Sequence, residues 1–427
     1  MSSKNDITAR KEEAMPALVP KLRFPEFREA DAWEPTTIGA LGRFYYGKSA
    51  PKWSLAEDAP TPCVRYGELY TKFGPVITET YSRTNTAPET LRFSKGGEIL
   101  IPRVGEKPED FGKCCAYLPL KGIAIGEMIS VLETRQHPLF YTYYFRNLHR
   151  QFAKVVEGQN VKNLYFAELE PLPIHRPSLP EQQKIAECLS SVDELMAAQA
   201  RKVDALKTHK KGLMQQLFPR EGETQPRLRF PEFRDAGAWS KRKLSNFLTE
   251  RSQFPENKVP LYSLTIEDGV TPKTERYERA FLVNDEAEAY KLVLPNDFAF
   301  NPMNLRFGAI GRHSGTEAVA VSKYYNIFYC DNSVDSRFCD IYFRSDAMVR
   351  FYDTMAIGSL IEKRRVHFSD FLKFNIRFPS SLEQQRIADC IASLDTLITA
   401  TIQELEALKI HKKGLMQQLF PQGETLS

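Results

Sequence analysis

The sequence holds no C-x-x-C pair, and its seven cysteines stand at 63, 114, 115, 188, 330, 339 and 390. That spacing excludes the usual structural zinc arrangements, and an odd, unpatterned set argues against a disulfide framework. No run of about 18 apolar residues occurs, and residues 1–16 are mixed in charge without the apolar core of a secretory signal, so a soluble cytosolic protein is expected. No charge sign dominates either: 58 Lys+Arg face 54 Asp+Glu, a net +4. A wholesale basic coat is therefore excluded, and any nucleic-acid surface has to be a local face. What is present is ordinary globular material, 42% hydrophobic and 26% charged over 427 residues. That length is enough for two or three domains, and the composition excludes collagen-like, fibrous and disordered chains.

The chain repeats itself. Lys21-Leu22-Arg23-Phe24-Pro25-Glu26-Phe27-Arg28, followed by Trp33, returns as Arg227 to Arg234 with Trp239. Pro180-Glu181-Gln182-Gln183-Lys184-Ile185-Ala186, continuing to His209-Lys210-Lys211-Gly212-Leu213-Met214-Gln215-Gln216-Leu217-Phe218-Pro219, returns from Leu382 to Pro421. Lys21 to Arg227 is an offset of 206 and Pro180 to Leu382 one of 202, so the repeat consists of two half-molecules and not of short solenoid units. Residues 34–179 and 240–381 between the matched blocks share little. A repeated frame with divergent filling suggests one scaffold presenting two different surfaces.

Each repeated C-terminal block reads as a long helix. Apolar residues at 185, 189, 192, 196, 203, 206, 213 and 217 keep heptad spacing if Gln199 and Lys210 are counted in register. Ile387, Ile391, Leu394, Ile398, Leu405, Leu408, Leu415 and Leu419 repeat the pattern, with Thr401 and Lys412 as the polar interruptions. At 1.5 Å per residue each helix would be about 55 Å long. Gly212 and Gly414 weaken the C-terminal ends, and Pro219 and Pro421 stop them. Two such seams in one chain can bury on each other as an antiparallel coiled coil, or each can pack on its own globular domain.

The filling reads as mixed α/β: strands around residues 97–102, 123–125, 296–301 and 318–321, with helices over 141–152 and 341–354. The expected boundaries are 1–179 for an N-terminal arm and first globular domain, 180–219 for a central helix, 220–381 for a linker and second domain, and 382–427 for the C-terminal helix. Gly42 to Ser49 has the letters of a P-loop, but its bulky filling and the absence of a following helix signal argue against a phosphate cradle. Asn301-Pro302-Met303-Asn304 approaches an amino-methyltransferase motif but lacks the aromatic that would stack on a flipped base. Methyl transfer by this chain alone is therefore not expected, and no residue spacing suggests a bound metal.

Two donor-rich loops stand at matching places: Gly158 to Asn163, with Gln159, Asn160, Lys162 and Asn163, and Gly358 to His367, with Lys363, Arg364, Arg365 and His367. Lys and Arg neutralise phosphates, while Arg, Asn and Gln can make the paired hydrogen bonds that distinguish base edges. Further candidates are Lys48, Lys52, Arg65, Lys72, Arg103 and Lys107 in the first half, and Lys273, Asn301, Asn304, Arg306 and Arg312 in the second. A different class remains open: a coiled-coil interaction scaffold whose domains do not bind DNA in a sequence-specific way.

The doubled frame resembles the specificity subunit of type I restriction-modification enzymes. The likeness rests on Pro20 to Phe27 with Trp33, on Leu179 to Ala186, on their second copies, and more loosely on Gly97 to Leu100 and Tyr290 to Met303. The resemblance implies two target-recognition domains separated by an antiparallel coiled coil of two long helices, related by a pseudo-two-fold repeat. Each domain would read one half of a split, asymmetric site in double-stranded DNA. It further implies two methylation subunits carrying S-adenosylmethionine, restriction subunits using ATP and Mg, and no cofactor in this chain.

Overall fold

A computed structural model describes residues 18–48, 50–220, 222–273, 289–358 and 364–421. The fold is mixed α/β, as expected. The chain divides into two compact units, residues 1–199 with 404–427, and residues 200–403, so the boundary falls inside each long helix.

In the first unit an antiparallel four-stranded sheet runs in the order Gly42–Tyr46, Ile129–Thr134, Glu98–Pro102, Ala116–Leu118. A second sheet orders Ser82–Thr84, Thr61–Val64, Lys121–Ile125 and Phe93–Lys95, with one parallel pairing between Thr61–Val64 and Lys121–Ile125. Successive side chains of a strand point to opposite faces. Ile99 and Ile101 accordingly enter one core with the helix Pro138–Asn147, while Leu100 enters another with Val64, Ile125 and Val131. Burial on both faces explains the unbroken apolar run at Ile99-Leu100-Ile101.

The second unit repeats this sheet with different residues. Its order is Leu248–Arg251, Asn326–Cys330, Phe298–Phe300, Ile310–Arg312. Phe298 and Phe300 face the large core, and Ala299 the smaller one. The helices expected over 141–152 and 341–354 are each broken in two. Pro138–Asn147 and His149–Lys154 meet at Leu148, and the turn lets Phe152 join Phe145 in the same core, ring centroids 5.6 Å apart. Ser336–Phe343 and Asp346–Met355 are separated by Arg344 and Ser345, and Ser345 leaves helical geometry and accepts a hydrogen bond from Met348 N as an N-cap. Periodicity carries across such breaks because both pieces face the same core.

Both repeated blocks are single helices, Leu179–Leu217 and Ser381–Leu419, of 39 residues each. Their starts are capped alike: Ser178 Oγ accepts from Glu181 N, and Ser380 Oγ from Glu383 N. Within the first unit Lys412 meets Asp193, and Gln199 meets Glu404, so the paired segments run antiparallel. Within the second unit Lys210 Nζ lies 2.5 Å from Asp395, and Leu217 shares a core with Ile387 and Ile391. Seam residues Ile185, Leu189, Ile387 and Ile391 are buried, as is Thr401, whose hydroxyl is satisfied by the Leu397 carbonyl. Burial moves the Lys412 ammonium below its ordinary range, against the pull of Asp193.

The repeated sequence motifs form one clamp in each unit. Arg23 holds the Glu181 carboxylate with two nitrogens at 2.8 Å, and the same carboxylate accepts from Trp33 Nε1 at 3.2 Å. Arg23 also donates to the Ala30 and Asp31 carbonyls. The second copy is Arg229 on Glu383 at 2.7 Å, Trp239 Nε1 on Glu383, and Arg229 on the Ala236 and Gly237 carbonyls. Gln182 and Gln384 add a second bond set: their side chains accept from His137 N and Asp335 N and donate to the Pro177 and Pro379 carbonyls. The far helix end closes each clamp. Phe420 stacks on Tyr144 at 5.1 Å beside Trp33, and Phe218 stacks on Tyr342 at 5.1 Å beside Trp239. Backbone bonds Leu22 N to Gln418 O and Leu228 N to Gln216 O, both 3.0 Å, repeat as well.

Among the described residues no helix is long and apolar enough to cross a membrane. The clamp yields a stability prediction. Glu181 is 1% exposed, so Glu181→Ala leaves a guanidinium and an indole N–H buried without their acceptor. We expect a loss of about 3–5 kcal/mol, the usual cost of breaking one side of a buried pair. Chemical denaturation of the full chain measures it, and a loss under ~1 kcal/mol would show the clamp to be dispensable.

Candidate nucleic-acid interface

In the first unit the sheet brings several of the basic candidates to one junction. The strand Glu98–Pro102 ends at Arg103, whose amide donates to Met128 O at 2.9 Å and whose carbonyl accepts from Leu164 N at 2.8 Å. The loop Gly158 to Asn163 is thereby laid beside Arg103, and Lys162–Asn163 pairs with Val104–Gly105. Glu157 and Asn163 close the loop through reciprocal backbone bonds. Gly158 turns it with φ +97°, a conformation that side chains disfavour. Lys162 is half-buried and its Nζ returns to Gly158 O at 2.5 Å, while Gln159 and Asn160 stay exposed at the tip.

Lys48 and Arg65 approach the same place from the strands. Gly47 N donates to Ile129 O, next to the Met128 carbonyl that holds Arg103, and Lys48 N donates to Ile125 O. Gly126 N donates to Val64 O beside Arg65. Arg65 precedes the helix Tyr66–Thr71, in which Tyr70 donates to Val104 O at 3.1 Å, and Lys72 ends that helix exposed. A Cβ at Gly105 would stand 2.6 Å from the Tyr70 oxygen, so glycine allows this approach. Lys107 is exposed two residues further on. Lys52 lies elsewhere along the chain on the short turn Lys52–Ser54, beside Trp53, which is 85% exposed.

Arg103 itself lies against aromatic rings. Its guanidinium carbon is 4.8 Å from the Tyr46 ring centre and 5.8 Å from that of Tyr165. Burial raises the Tyr46 hydroxyl above its ordinary range, with the Arg103 charge acting in the opposite direction. Sequence reasoning passed over both tyrosines. Tyr46 falls within the P-loop-like segment, where it counted only as bulk unsuited to a phosphate cradle. That segment is the strand Gly42–Tyr46, paired with Ile129–Thr134, and the next helical element is the short turn at Lys52.

In the second unit the corresponding junction carries other residues. The strand Phe298–Phe300 runs into Asn301-Pro302-Met303-Asn304, a tight turn in which Asn301 Oδ1 accepts from Met303 N at 3.1 Å. Val366 N donates to Pro302 O at 3.1 Å, the counterpart of the Leu164–Arg103 bond. Asn304 is exposed, and its carbonyl accepts from Phe307 N. Arg306 and Arg364 share one carboxylate: Asp353 lies 3.7 Å from the first and 3.6 Å from the second. Arg364 donates further to the Ala356 carbonyl, so it fastens the loop to the end of the helix Asp346–Met355, while Arg306 holds the turn Leu305–Phe307 to the same helix. Arg365 pairs its backbone with Ile357 and keeps its side chain exposed, and His367 is exposed where the helix Phe368–Phe371 begins. Lys363 lies outside the described residues.

Two candidates of the second half sit apart from this junction. Arg312 pairs with Phe298 at the opposite end of the strand, donates its side chain to Asn296 Oδ1 at 2.6 Å, and donates its amide to Asp340 Oδ1 at 2.9 Å. Burial pushes that Asp340 carboxyl up, against the neighbouring arginines. Lys273 follows the strand Gly269–Pro272, its amide donating to Leu261 O.

Known proteins share this fold and sequence pattern. Residues 32–208 match the family model of the type I restriction modification DNA specificity domain. The chain is 22% identical to the type I restriction enzyme MjaVIII specificity subunit of Methanocaldococcus jannaschii, with 93% of each chain covered. Among solved structures, the type I restriction-modification S subunit from M. genitalium superposes with a TM-score of 0.55 at 15% identity, covering 95% of this chain and 100% of that one. A second, from a study of complex assembly and conformational transition of the type I restriction-modification system, gives 0.55 at 14% identity, with 91% and 97% covered. With a type I restriction modification DNA specificity domain over residues 32–208 and the same frame built twice, the chain is similar along its length to type I restriction-modification specificity subunits.

Proposed function

We propose that this chain reads a split, asymmetric site in double-stranded DNA, one half-site per unit, for a type I restriction-modification complex. The observation behind this reading is the duplicated junction. One loop-to-strand contact, Leu164 on Arg103 and Val366 on Pro302, presents Arg103, Lys162 and Asn163 in one unit and Asn301, Asn304 and Arg365 in the other. Identical framing with unlike donors is what reading two unlike half-sites requires, since base edges differ in their donor and acceptor pattern. Exposed Lys48 and Lys107 at the first junction and Arg365 at the second supply phosphate contacts that fix position without reading sequence.

The chain acts without chemistry of its own, in the cytoplasm. Two methylation subunits bring S-adenosylmethionine and modify adenine, and restriction subunits bring ATP and Mg. Helices of 39 residues are about 58 Å long at 1.5 Å per residue, against roughly 34 Å per turn of duplex. On this reading the two long helices set the gap between half-sites.

Three outcomes follow. Exchanging residues 34–179 for those of a relative replaces one half-site in the methylation pattern and leaves the other, whereas changes in both would mean shared reading. Inserting one heptad into both helices alters the gap and keeps both half-sequences, and altered half-sequences with an unaltered gap would contradict this role of the helices. Arg365→Ala lowers affinity for all sequences and reduces the slope of log affinity against log salt by about 0.9, the value for one lost phosphate contact. An unchanged affinity and slope would remove that loop from the interface.

A further inference from the structure

We infer that Arg103 reads a guanine in the half-site recognised by the first unit. The inference rests on the DNA-reading function proposed above and assigns one residue to one base. A guanidinium carries five N–H donors and no acceptor. Among the described residues the hydrogen-bond acceptor of the Arg103 side chain is the Met128 sulfur, 3.2 Å from Nη2 and a weak acceptor. Among the described residues Nε is buried without an acceptor, and no carboxylate pairs with the group. Arg23 and Arg229, by contrast, are saturated by carboxylates and carbonyls, as are Arg306 and Arg364 in part by Asp353. Arg103 is therefore an arginine that the fold holds in place and leaves with unused donors at Nη1 and Nη2.

Its geometry selects the partner. The rings of Tyr46 and Tyr165 lie against the guanidinium, and backbone bonds at both the amide and the carbonyl of the residue fix the main chain. A planar fork immobilised in this way loses little freedom when it binds a planar pair of acceptors. Guanine offers such a pair in the major groove, N7 and O6, and this is the commonest specific contact an arginine makes. Phosphate contacts need no such immobilisation, and exposed Lys48 and Lys107 beside the junction can supply them. In the second unit the corresponding backbone position is Pro302, which has no donor at all. The duplicated frame thus varies at the place where the first unit carries its fork, as expected of a position that sets sequence.

The test uses the full chain assembled with its methylation subunits and sequences the methylated sites of host DNA. Wild type comes first: without a sequence-dependent pattern the DNA-reading function itself fails, and the assignment of Arg103 falls with it. Given a pattern, Arg103→Ala is expected to relax one guanine position of one half-site by ~10- to 100-fold while the other half-site keeps its sequence. Arg103→Lys, which keeps the charge and loses the fork, should relax the same position, and serves if the alanine variant does not fold. An even loss of affinity for cognate and unrelated DNA, with a shallower salt slope, would make Arg103 a phosphate contact and overturn the inference. An unchanged half-site in the lysine variant would overturn it as well.

Discussion

The structure depends on a buried ion pair built twice. Glu181 and Glu383 are held by Arg23 and Arg229, and each carboxylate also receives an indole N–H, from Trp33 and Trp239. A buried carboxylate without such partners would be costly, so the arginine, the tryptophan and the helix start constrain one another. The short segment before each domain is thereby fastened to the start of a long helix. The end of the other long helix then completes the same site, through Phe420 in one unit and Phe218 in the other. This explains why the repeated residues cluster in two short blocks far apart in sequence: the bond from Arg23 to Glu181 spans 158 residues of chain, and its copy from Arg229 to Glu383 spans 154.

Outside the clamp the two units are free to differ, and they do. The sheet order is the same, and acidic Glu98 and Asp297 occupy matching buried positions at the N-terminal end of the central strand, accepting hydrogen bonds from the backbone amides of Gly96 and Leu294. For Asp297, burial pushes the carboxyl above its ordinary range while Arg251 and the Leu294 amide oppose this. Past the end of that strand the resemblance stops: Arg103 against two tyrosines in one unit, an asparagine-proline turn in the other. A repeated frame carrying exchangeable junctions is the physical form of a protein whose sequence preference can change without refolding.

Much of this was legible in the sequence, and the parts that were not have identifiable reasons. Duplication exposed the clamp residues and both long helices, because identical packing demands near-identical residues. The central strands showed as apolar runs at Ile99-Leu100-Ile101 and Phe298-Ala299-Phe300. The broken helices did not show, since Leu148 and Ser345 interrupt the backbone without interrupting the apolar face. Charge alone also could not sort the arginines. Arg306 and Arg364 look like Arg103 in sequence, but they are engaged by an aspartate from another element, Asp353, whereas the rings that lie against Arg103 come from residues 46 and 165. Such pairings are tertiary contacts that no local pattern encodes.

The central claim is that one frame, duplicated, carries two different DNA-reading junctions, one for each half-site. Sequencing the methylated adenines of a host that expresses this chain with its methylation subunits measures it most directly. The account predicts one motif made of two unlike half-sequences separated by a gap of constant length. A continuous motif, a palindrome with identical halves, or a gap of variable length would contradict it.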